Sequence, residues 1–116
     1  MPVWGDYKMS KVKAVVEPGA CGLKVLVEAE LTEDNLVNIK FHSACKLVMN
    51  MNGELDNLNW KKGIFSKMSD SYIYQVSSKH LKHVDCPVPS AILKAVEVLV
   101  GAAVEQEVSI KVTKVE

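Results

Sequence analysis

A two-layer α+β domain is the fold class this sequence predicts, and three observations predict it. Three runs between Lys11 and His42 alternate apolar and polar residues with period two. After Ser43 the apolar residues recur at spacings of three and four, so the strand-like runs come first and the helical ones follow. At 116 residues the chain can bury one core and is too short for two. The expected architecture is an antiparallel three-stranded meander plus a C-terminal edge strand, with helices packed on one face. Residues 1–10 form an N-terminal segment and 11–116 a single domain.

The first strand is expected from Lys11, where Val12, Ala14 and Val16 share one face while Lys11, Lys13 and Glu17 take the other. Pro18-Gly19-Ala20-Cys21-Gly22 breaks the run with two glycines free to adopt positive φ. Leu23, Val25, Val27 and Ala29 then alternate with Lys24, Glu28 and Glu30 as a second strand. A polar turn at residues 32–35 leads to a third, with Val37, Ile39 and Phe41 opposite Asn38, Lys40 and His42. Ser43 is placed to cap a helix carrying Ala44, Leu47, Val48 and Met51, with Cys45 in its first turn and Asn52-Gly53 as its stop. Leu55, Leu58, Trp60, Ile64 and Phe65 continue a helical pattern through residues 54–68, broken at Gly63. Ile73, Val76, His80, Leu81 and Val84 predict an amphipathic helix from Ser69 or Ser71 that stops before Cys86. Pro89 suits the first turn of a last helix, with Ile92, Ala95, Val96 and Leu99 as its apolar stripe and an end near Gly101. Val108, Ile110 and Val112, spaced by Ser109 and Lys111 and followed by Val115, predict the edge strand.

Composition narrows the function. Fourteen basic residues balance fourteen acidic ones, so no broad positive field draws in nucleic acid. Every basic residue is lysine, and without arginine there is no planar fork for phosphate or guanine edges. The apolar stretch 91–104 is interrupted by Lys94 and Glu97 and falls short of the roughly 20 residues of a membrane span. No apolar signal region opens the chain, and a cytoplasmic protein is expected.

The chemistry-bearing residues are three cysteines, each beside a break: Cys21 in the glycine-flanked loop, Cys45 at a helix start, Cys86 just before another. An odd, scattered set makes a poor disulfide framework. A helix N-terminus offers free N–H groups and partial positive charge, which stabilise the thiolate that binds metal or attacks an electrophile. The spacing matches none of the compact zinc patterns, so ordinary buried thiols stay open as an alternative.

The loop Pro18-Gly19-Ala20-Cys21-Gly22, the run Phe41-His42-Ser43-Ala44-Cys45 and the pair Asp85-Cys86 together resemble the three-cysteine layout of NifU/IscU-type iron–sulfur scaffold proteins. The chain also resembles a small uncharacterised microbial family with a Pro-Gly-x-Cys-Gly loop and a Cys-Pro-Val-Pro-Ser-Ala-Ile-Leu-Lys-Ala run, and in outline the TSCPD domain. The likeness covers roughly Val12 to Val100. It implies that loops gather Cys21, Cys45 and Cys86 to hold zinc or an iron–sulfur cluster, with iron–sulfur or metal-transfer proteins as partners. Where those scaffolds carry an aspartate two residues after the first cysteine, this chain has Leu23. Where they carry histidine before the last cysteine it has Asp85, which makes Asp85 the first candidate for a fourth ligand and His83 the second, with His42 a further alternative.

His80, His83 and Cys86 are spaced to lie roughly along one helix face, which invites a metal reading; the alternative is a partly solvated helix end where histidine meets the C-terminal dipole. A Cys/His nucleophile pair would make a thiol enzyme, but no oxyanion hole or orienting third residue accompanies it. Trp4, Tyr7, Trp60 and Phe65 would serve a partner or homodimer contact, or a lid over the core; Met49 and Met51 would serve a docking surface or core filling. A metal-free interaction module on the same fold is the competing reading.

Overall fold

The computed structural model describes residues 10–116. The expectations for Trp4 and Tyr7 lie outside these. Three strands, β1 (Lys11–Val16), β2 (Val25–Leu31) and β3 (Val37–Ser43), form an antiparallel meander in the order β1-β2-β3. Helices α1 (Lys46–Met49), α2 (Tyr72–His80) and α3 (Val88–Leu99) complete an α+β domain.

Period-two patterning decides which sheet face is dry. Val16, Val25, Val27, Ala29, Ile39 and Phe41 all point to the core. On the open face Lys11 stands opposite Glu30, and Glu28 lies between Lys13 and Lys40, so charges of opposite sign meet across the strands. Such pairs contribute about 0.2–1 kcal/mol each. Helix α3 lies across β1 and β2 and buries Val88, Ile92, Ala95 and Val96; α1 packs on β3 and α2 on α3.

The end of α3 follows a Schellman pattern. Gly101 has φ +80, its N–H donates to the Val98 carbonyl at 3.2 Å, and the Ala102 N–H donates to the Glu97 carbonyl at 2.8 Å.

Four expectations are corrected. The C-terminal edge strand is not formed: residues 101–116 are all exposed, and among the described residues the sheet holds β1, β2 and β3 with a single bridge from Leu58 to Val37 beyond them. Alternation fixes which face a strand would bury, but not that an open edge lies within reach once Gly101 has turned the chain out of α3. Residues 54–68 are not helical, because Asn57 at φ +55 and Gly63 at φ +76 break the run and its backbone is spent on β3 instead. Helix α1 is a single turn that starts after Cys45 rather than at Ser43. Helix α2 stops at His80, so His83 and Cys86 lie beyond it and the three residues do not share a helix face.

Candidate metal centre

Sheet register brings two of the cysteine-bearing connections to one end of the domain. Val16 stands opposite Val25 and Val25 opposite Ser43, so the β1–β2 loop and the exit of β3 leave from the same row. Cys21 is in that loop; Cys45 follows β3 by two residues. Cys86 arrives at the start of α3, the helix that lies across β1 and β2. It is within electrostatic reach of Cys45, Cys21 and Asp85.

Each thiol is held by its own local device. The Gly22 N–H donates to the Gly19 carbonyl at 3.0 Å, with Gly19 at φ +85 and Gly22 at φ +70, a turn that other residues enter only with strain. Cys21 sits exposed within it. Ser43 Oγ donates to the Lys24 carbonyl at 2.8 Å, which ties the exit of β3 to the entry of β2, and accepts the Cys45 N–H at 3.0 Å. Cys45 and Cys86 are half-buried against the core. The Cys86 N–H closes a turn on the His83 carbonyl at 3.1 Å.

Burial pushes the Cys86 thiol up from its ordinary value; the Val88 N–H pulls it down; negative charge at Cys45, Cys21 or Asp85 raises it again. The direction corrects the expectation that the start of α3 would favour a thiolate here: desolvation and like charge outweigh the helix end.

The histidines divide. His42 Nε2 lies 3.3 Å from Glu28 Oε1 on the open sheet face, and His80 Nε2 lies 2.5 Å from Glu54 Oε2, so both are engaged elsewhere. His83 and Asp85 are exposed in the turn before Cys86. As the side chains lie, no group of three or more His, Cys, Asp or Glu among the described residues is gathered to hold a metal ion. Cys21 is exposed while Cys45 and Cys86 are half-buried, so the three thiols differ in their access to solvent. Three sulfurs with a carboxylate or imidazole suit zinc or an iron–sulfur cluster rather than magnesium or calcium, which take oxygen ligands.

Sequence reasoning missed the double role of Ser43, taken as a helix cap. A serine two residues before the N–H it serves is the signature of a hydroxyl turn, and that signal was readable in Ser43-Ala44-Cys45.

Compared with known proteins, residues 12–112 match the model of a family of unknown function (DUF6951). Neither the curated proteins nor the solved structures yield a match.

Proposed function

The chain belongs to the DUF6951 family of unknown function, and we propose that it is a small metal-binding protein that holds zinc or an iron–sulfur cluster through Cys21, Cys45 and Cys86. The observation that supports this reading is the convergence of the β1–β2 loop, the exit of β3 and the start of α3, each bearing one thiol. Asp85 is the fourth donor this reading favours, since it adjoins Cys86 and its charge reaches that sulfur; His83 is the second. A bound ion would relieve the mutual repulsion of the thiolates, a chemical role that ordinary packing would not need.

The likeness to NifU/IscU-type scaffolds belongs to this reading, and makes the role carriage of a metal or cluster between transfer proteins rather than turnover. Free thiols suit a reducing compartment, which makes the cytoplasm the site we favour. Among the described residues, no helix is long and apolar enough to cross a membrane.

The test is anaerobic purification of untagged protein from iron-replete cells, followed by zinc, iron and acid-labile sulfide per chain. Iron with sulfide is expected of a cluster carrier, and zinc alone of a zinc protein. Single Cys→Ser changes at Cys21, Cys45 and Cys86 should each lower the content. Unchanged content in all three, or no metal after reconstitution, overturns the reading.

A further inference from the structure

The two edges of the sheet are treated differently. On β3 three successive outward N–H groups are taken: Val37 donates to the Leu58 carbonyl at 3.0 Å, Ile39 to the Leu55 carbonyl at 2.9 Å, and Phe41 to Asn52 Oδ1 at 2.8 Å. On β1 the outward groups belong to Lys11, Lys13 and Val15. This follows because Leu31 donates to the Ser10 carbonyl, which makes Ser10, Val12, Ala14 and Val16 the residues bonded to β2 in the antiparallel alternation. Among the described residues nothing pairs with that edge. Val12 and Ala14 remain half-buried there, while Val27 and Ala29 beside them are fully buried.

The same chain carries a segment with the pattern of a missing strand. Val108, Ile110, Val112 and Val115 are exposed by 57%, 81%, 90% and 85%, and no described element covers them. A soluble chain does not leave an open edge and an unpaired β-patterned segment side by side without a means of satisfying both.

We infer that the C-terminal segment around Val108–Val115 of a second copy adds as a strand to β1, in a reciprocal exchange that makes a symmetric dimer. Val108, Ile110 and Val112 then join Val12, Ala14 and Val16 on the core face, and Glu107, Ser109 and Lys111 lie on the open face with Lys11 and Lys13. Exchange satisfies both tails and both edges and closes the assembly at two copies. The inference is independent of the metal reading.

Sedimentation of the full-length protein at high micromolar concentration should give twice the chain mass. Ile110→Pro removes strand capacity from a fully exposed segment, and Lys13→Pro removes an outward N–H from β1 while sparing the β1–β2 ladder. Both should sediment as folded monomers, with unchanged far-ultraviolet dichroism in the helical region. In a mixture of differently isotope-labelled copies, isotope-filtered contacts should connect β1 of one copy to the tail of the other. A monomeric wild type overturns the inference, as does a monomer whose tail amides are protected in cis. A dimer that survives Ile110→Pro but not Lys13→Pro overturns it in favour of direct β1–β1 pairing.

Discussion

Glu54 is the side chain on which the middle of the chain turns. One carboxylate oxygen takes Lys79 Nζ at 3.1 Å, the other meets His80 Nε2, and its own carbonyl accepts the Tyr72 hydroxyl at 3.3 Å. The hydrogen bonds from Lys79 and His80 hold its carboxyl below the ordinary glutamate range. A lowered folded-state value contributes stability above the unfolded value, and that stability is lost as pH falls through the folded one. Glu54→Gln should therefore be less stable than wild type at neutral pH, and the two denaturation curves should converge in acid; a gap that persists there would mean that shape, not charge, is what Gln lacks. His80 entered the sequence reading as a possible ligand because its spacing to His83 and Cys86 suited a helix. Its engagement with Glu54 was not legible, since the two residues are brought together by a loop whose path no local pattern specifies. What was legible of Cys21, Cys45 and Cys86 is that each sits beside a break: Cys21 lies in the β1–β2 loop, Cys45 two residues after β3, and Cys86 two before α3.

At the scale of elements, the free side of β3 depends on a stretch that is neither helix nor strand. Asn52 works as a one-residue strand: its Oδ1 accepts the Phe41 N–H at 2.8 Å and its Nδ2 donates to the Phe41 carbonyl at 3.1 Å. Leu55 and Leu58 continue the pairing through their main chain. Asn52→Ala leaves both main-chain groups of Phe41 without that partner, at a cost of about 1–3 kcal/mol, which urea denaturation should resolve. Asn52→Asp keeps the acceptor, loses the donor, and should fall between the two; an Ala variant as stable as wild type would show that water replaces the amide. The meander and α3 were readable because each strand keeps its period-two pattern between clear breaks and α3 keeps its helical spacing from Ile92 to Leu99. Residues 54–68 misled because apolar spacing there serves an irregular layer over β3, with Leu55 and Ile64 buried from separate turns. The tail misled for the opposite reason: its alternation is that of a strand, but its partner is not in the same fold.

At the scale of the molecule, the three thiol-bearing connections belong to parts of the chain far apart in sequence: the first hairpin, the end of the sheet, and the helix that covers it. An ion bound across Cys21, Cys45 and Cys86 would tie the β1–β2 loop to both layers, and because the unfolded chain cannot present the three sulfurs at once, binding energy becomes folding energy. One ligand at a hundredfold excess over its dissociation constant adds about 2.7 kcal/mol. For a domain of this size each kcal/mol moves the melting midpoint by roughly 4–8 °C, so saturating zinc should raise it by more than about 10 °C. Calorimetry of the metal-free protein with and without zinc reads this directly. The variant with serine at all three positions should melt at one temperature regardless of zinc. Ile92→Ala, which opens a cavity under α3 and costs about 2–5 kcal/mol, should start lower yet keep the full zinc increment, because it touches the core and not the donors. An increment that survives the triple serine change would place the ion elsewhere, and an increment lost in Ile92→Ala would mean that the thiols are gathered only when the two layers are packed at full density.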